Sequence, residues 1–183
     1  MFSTEFTIGG ILMYLYLTSG TPEFMENLQK KYSKEHMIVL YGEGNTVLLH
    51  ESDKKSVFTT PRSYEILGKI NELGEHGFFV MNYIPVKSDS RKLFEDRFLD
   101  TIRSIEKEPG LVAFRLLRPL QDETYIALTE WTGPHSFEAW KASNTYKIVH
   151  ENENTNGVDR NNIFTSAPYV KTFATKRPED ENA

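Results

Sequence analysis

The chain has 183 residues with a formal net charge of −5, 39% hydrophobic and 26% charged positions, and no cysteine. That is ample for a real core in one large or two small domains and describes a folded chain, not a disordered one. The acidic balance excludes a nucleic-acid backbone as the main partner. The absence of cysteine excludes disulfides, thiolate metal sites and a cysteine nucleophile, and fits a reducing compartment.

In chain order, "GGILMYLYL" is apolar but far too short to span a bilayer. The first basic residue is Lys30, so no charged n-region precedes it and no signal peptide is expected. Residues 1–12 are read as an extension outside the fold, and the expected location is the cytoplasm, without a membrane partner.

Residues 13–75 predict an N-terminal α+β half. "MYLYLTSG" is a strand and "TPEFMENLQKKYS" a helix, with Thr21 as N-cap and Pro22 at N1, where a missing N–H costs nothing. Glu23 and Glu26 suit the helix dipole, but Phe24 at N3 precludes a full capping box. Two strands follow about Gly42, Gly44 and Asn45. "SVFTTPRSYEILGKINELGE" then predicts a short strand, a proline stop and a helix.

Residues 76–176 predict a second unit. "FFVMNYIPV" alternates as a strand, and Leu93, Phe94, Phe98, Ile102 and Ile105 fall at helical spacing before the stop Glu108-Pro109-Gly110. "LVAFRLLRPL" and "TYIALTEW" form a hairpin about Gln121, Asp122 and Glu123. Pro134 to His150 is predicted helical, and "PYVKTFATK" closes the unit as a strand. The order β-α-β-β-α-β is the ferredoxin-like split motif, an α+β class. One face of such a sheet carries the helices and the other needs cover, which the first half supplies in a monomeric pseudo-dimer; a homodimer is the rival arrangement. Residues 177–183 are expected to be a frayed polar tail.

Asn82 shares its strand side with Phe78, Val80, Ile84 and Val86, placing an amide in an apolar row. Either it bonds nearby backbone at a strand irregularity, or it aims a donor into a cavity. Phe137 and Trp140 share a helix face, as core or rim aromatics or as a pocket wall. His150 lies ten residues beyond Trp140, about 80° around a continuous helix, so the two do not face one point squarely. A break and recap at Ser143-Asn144-Thr145 brings them to one pocket. Without it, His150 is a dipole-stabilised surface group. His36, His50, His76 and His135 show no metal-ligand spacing, and the pair His50 and Glu51 reads as an ordinary strand end. "GEGN" is a turn, and no GxSxG, HExxH or P-loop occurs.

The strand Asn, then "SFEAW", then "YKIVH" resembles the antibiotic-biosynthesis-monooxygenase (ABM) fold proteins, specifically their haem-degrading IsdG-like branch. The likeness covers roughly residues 77–175 and extends back to about Met13 in the two-part HmoB-type and TRAP-like members. It implies an O2-dependent haem-degrading monooxygenase in which haem is substrate and cofactor, releasing iron and a bilin-like product. It implies His150 as the iron ligand, Asn82 as an uncharged donor where negative charge develops, and Trp140, beside Phe137, as the residue that buckles the macrocycle. "ENENTNGVDRNN" reads either as a loop over the haem edge or as plain disorder, and Arg97, Arg115 or Lys147 are candidates to meet the propionates. Electrons come from an external donor, a reductase or small reductant, since no flavin or nicotinamide motif is visible. The alternatives are haem binding without turnover, a TRAP-like regulatory protein, or a cofactor-free quinol-type monooxygenase.

Overall fold

The computed structural model of the chain describes residues 10–147 and 163–179. Along them run β1 (Tyr14–Gly20), α1 (Pro22–Lys31), β2 (His36–Gly42), β3 (Asn45–Ser52), β4 (Arg62–Ile70), β5 (Phe78–Pro85), α2 (Arg91–Ile105), β6 (Leu111–Pro119), β7 (Thr124–Trp131), α3 (Pro134–Lys141) and β8 (Tyr169–Ala174). The strands close into one barrel in the order β1-β3-β2-β8-β5-β7-β6-β4.

That order repeats. Taken separately, the halves read β4-β1-β3-β2 and β8-β5-β7-β6, so each has its fourth strand beside its first and its third between first and second. This is the ferredoxin-like α+β arrangement expected, doubled within one chain. The halves are not merely pressed face to face. Backbone ladders join them at two seams, a short one from β2 to β8 and a longer one from β4 to β6. Closure leaves no strand edge to be covered.

Period-two alternation divides the apolar side chains between the two surfaces of the barrel. Leu17, Leu40, Leu49, Phe79, Met81 and Leu128 are among those filling its interior. On the outer face of the second half, Ile84, Phe114, Leu116 and Tyr125 pack under Phe94, Ile102 and Ile105 of α2. On the first half, Met37, Val39 and Leu48 pack under Met25 of α1. Each such side chain fully buried stabilises the fold by about 1.5–3 kcal/mol. Thr21 caps α1 as its sequence predicts, its Oγ1 accepting from the Phe24 N–H at 3.3 Å.

Several expectations are corrected. Residues 62–70, expected to open a helix, form β4. A bulge between Ile66 and Gly68 flips the strand's parity, so Tyr64 joins the interior while Leu67 and Ile70 face α2. The resulting three-residue apolar spacing imitates a helical stripe. "SVFTT" is no strand; its Val57 and Phe58 pack on the cluster beneath α1 instead. Leu93, assigned to the apolar face of α2, is 40% exposed. The tail is not frayed at its start: Arg177 forks onto both oxygens of Glu26, which also accepts from the Tyr41 hydroxyl. Together Arg177 and Tyr41 hold the Glu26 carboxyl below the usual carboxylate range. Residues 1–9 lie outside the described part, and Ile11 and Leu12 are exposed. No described helix is long and apolar enough to cross a membrane.

Candidate functional site

A cavity of about 1100 Å³ lies between the outer face of the second half's sheet, α2, α3 and the segment leading into β8. It slightly exceeds the usual range for small-molecule and cofactor sites, about 300–1,000 Å³. Its inner wall is apolar, with Phe94 and Phe98 of α2 over Phe114 and Ile84 of the sheet.

Asn82 sits at the middle of β5 and lines this cavity together with Phe78, Val80 and Ile84, because alternation sends Phe79, Met81 and Tyr83 into the barrel. The ladders to β7 and β8 run through Asn82 without irregularity, pairing it with Ala127 and Val170. Its carboxamide makes no hydrogen bond among the described residues, so the strand-irregularity reading is not what the structure contains. Ala127 beside it is small, which leaves the amide room.

Phe137 and Trp140 share one face of α3 and both line the cavity, their ring centroids 6.1 Å apart. Trp140 rests on Trp131 of β7 at 5.3 Å. The predicted break is present: α3 ends at Lys141, and Ser143 Oγ accepts from the Tyr146 N–H at 3.1 Å, capping a helical turn over 144–147. That recap turns the Tyr146 ring edge-on against Trp140, with centroids 4.8 Å apart and planes at 88°. The Trp140 Nε1 is buried without an acceptor among the described residues.

His150 and the run after it to Asn162 lie outside the described residues. Of the residues considered for propionates, Arg97 and Lys147 do not line the cavity. Arg115 is spent elsewhere: it is wholly buried inside the barrel, paired with Glu51, because the bulge at the start of β6 turns it inward with Ala113 and Leu117. Among the described residues, the cations on the cavity wall are instead Lys87 and Lys141. Lys141 pairs with Glu138 at 2.9 Å and lies 4.9 Å from the Phe137 ring centre.

Sequence reasoning missed two features. Alternation along "TYIALTEW" puts Tyr125, Ala127, Thr129 and Trp131 on the cavity side, and that signal was available. The second feature is a charged group at one end of the barrel interior. His50 and Glu51 are no ordinary strand end: Glu51 points into the barrel and holds Arg115, while His50 points to the outer face, buried against Tyr16 and Phe58 on the α1 side, and meets Glu35 at 3.0 Å. Glu130, fully buried inside the barrel, accepts from the Gly74 N–H at 2.7 Å, and its other oxygen has no partner among the described residues. Burial pushes its pKa up to about 6, against the opposing pull of Gly74 and Arg115. Beside the cavity, Glu95 of α2 accepts a two-point bond from Arg118 and another from the Tyr125 hydroxyl. Burial alone raises the Glu95 pKa, but these partners bring it below the ordinary value and pin α2 to the hairpin. No three His, Asp or Glu side chains among the described residues converge as a metal-binding group.

Residues 77–152, the segment that builds most of this cavity, match the family described as antibiotic biosynthesis monooxygenase. The chain is 27% identical over 134 residues to the signal transduction protein TRAP of Staphylococcus epidermidis, covering 73% of this chain and 80% of that protein. The protein of that name from Staphylococcus aureus is 25% identical over 132 residues, covering 72% and 79%. Among solved structures, a major regulator of staphylococcal pathogenesis superposes with a TM-score of 0.79 at 21% identity, over 90% of this chain and 99% of that one. The heme-degrading enzyme LmHde of Listeria monocytogenes superposes with a TM-score of 0.67 at 16% identity, over 89% and 99%. These likenesses establish the ABM-type ferredoxin-like fold.

Proposed function

We propose that the chain is a haem-degrading monooxygenase that binds haem in the cavity of its second half and opens the macrocycle with O2 and electrons from an external donor. The observation that carries this reading is the Asn82 carboxamide, without a hydrogen-bond partner among the described residues, facing a large aromatic cavity that Trp140 of α3 also lines. A planar tetrapyrrole needs broad apolar walls and polar groups confined to its centre and rim. Phe94, Phe98 and Phe137 suit the first need, and Asn82, Lys87 and Lys141 the second.

The iron ligand in this proposal is His150. Tyr146 lines the cavity, and the four residues from it to His150 span at most about 14 Å, so an imidazole there is within tether range. Haem itself supplies the redox chemistry. Asn82 contributes an uncharged N–H where negative charge develops. Trp140, backed by Trp131 and Tyr146, is a bulky wall that resists displacement and so imposes strain on a flat ligand pressed against it.

The relatives named signal transduction protein TRAP favour a second reading, a regulatory protein without turnover. Titration with hemin tests the first: a Soret band lost in His150→Ala supports haem ligation at this residue. Adding ascorbate in air then separates the readings. Bleaching with release of iron and a bilin-like chromophore supports the enzyme, and a stable band supports the regulator.

A further inference from the structure

We propose that Thr129 is a second hydrogen-bond donor to the cavity's ligand, beside Asn82, and that Trp131 holds its hydroxyl in that role. The inference rests on the reading of this cavity as a ligand site. Thr129 and Trp131 lie two apart on β7 and therefore project from the same side of the strand. The Trp131 Nε1 donates to Thr129 Oγ1 at 2.8 Å, and both residues are buried. An indole nitrogen only donates, so the threonine oxygen accepts in this bond and its own proton is left over. No described residue accepts that proton.

Register places this leftover donor close to the other one. Thr129 pairs with Val80 and Asn82 with Ala127, so Thr129 and Asn82 are diagonal neighbours on adjacent strands. Their Cβ atoms are then about 7–8 Å apart or less, near enough for both groups to reach one acceptor atom or two adjacent ones. The only carboxylate on the cavity wall, among the described residues, is Glu138, which is engaged by Lys141. The sheet side of the cavity therefore offers donors and no acceptor carboxylate. It selects a ligand whose inner end carries an acceptor, a carbonyl oxygen or small anion, over one that presents only N–H groups there.

The test uses wild type, Thr129→Val and Thr129→Ser, loaded with hemin and then titrated with fluoride, an anion that reports donors on the open face of ferric haem. Thr129→Val should bind hemin within about twofold of wild type but fluoride about 5-fold more weakly, the worth of one neutral hydrogen bond. Thr129→Ser should restore the fluoride affinity. Equal fluoride affinity in wild type and Thr129→Val, or no recovery in Thr129→Ser, overturns the assignment. Thr129→Val also orphans the Trp131 N–H, so the double variant Thr129→Val/Trp131→Phe carries the same comparison if the single one does not fold. Should wild type bind no hemin, the haem reading falls separately. The Thr129 assignment is then read with a 1,4-naphthoquinone, whose carbonyls are acceptors: weaker binding in Thr129→Val and recovery in Thr129→Ser support it. Equal binding, or none by wild type, overturns it.

Discussion

Arg115 and Glu51 join the two halves of the chain from inside the barrel. The Arg115 Nε donates to Glu51 Oε2 at 2.8 Å and its Nη2 to Oε1 at 3.2 Å, with neither side chain reaching solvent appreciably. Nη1 also bonds the Asn71 carbonyl at 2.7 Å, holding the chain where it leaves β4 and Asn71 takes a positive φ of 53°. Removing one member leaves the other charge buried and unpaired, which costs about 3–5 kcal/mol. Arg115→Ala should therefore lower the unfolding free energy by that amount in a urea titration. A double replacement, Arg115→Met with Glu51→Leu, should recover most of the loss. If the single variant is as stable as wild type, the pair does not tie the halves together.

Glu130 makes stability depend on pH in the opposite sense to most carboxylates. Its folded pKa of about 6 lies above the ordinary value of 4.5, so the folded state holds its proton more tightly than the unfolded one. The group's favourable contribution is complete below pH 4.5 and is lost as pH rises through about 6. The shift corresponds to about 2 kcal/mol. Glu130→Gln stays neutral throughout and can still accept from the Gly74 N–H. Relative to wild type it should gain up to about 2 kcal/mol between pH 4.5 and 7. A wild-type minus variant difference that is flat with pH contradicts the raised pKa.

Asn82→Ala removes a cavity donor that supports no other residue, so the fold and hemin affinity should survive. On the proposed mechanism, bleaching by ascorbate slows by about 100-fold, the usual worth of one donor aimed at developing charge. A wild-type bleaching rate removes Asn82 from the chemistry.

Trp140 packs against Trp131, Phe137 and Tyr146 but is only partly buried, so its truncation should cost less than the about 3–5 kcal/mol of a core aromatic, and Trp140→Ala should show a modestly lower melting temperature. With hemin bound, its resonance Raman out-of-plane modes should weaken as the macrocycle flattens. Unchanged spectra contradict distortion by this side chain, whatever happens to stability.

Local chemistry was legible in the sequence where neighbours along the chain decide it. The Thr21-Pro22 start of α1, the outward row of Phe78, Val80, Asn82 and Ile84, and the recap at Ser143 all depend on periods of two to four residues. β4 departs from such periods, because a bulge mixes the two strand parities and its apolar residues then fall at helix-like spacing. The bulge makes sense only against β6, which lies some fifty residues away.

Pairing across the barrel was decided by the tertiary structure alone. Strand alternation says that Arg115 and Glu51 each point to one side, not that both sides are the same enclosed interior; only closure at the β2–β8 and β4–β6 seams makes them meet. The same closure buries Glu130 and raises its pKa. It is the stacking of α2 and α3 on the sheet that turns Asn82, Thr129 and Trp140 from a row of separate side chains into walls of one cavity. Sequence separation carries no information about such contacts, because the free energy that selects them comes from burying whole faces at once.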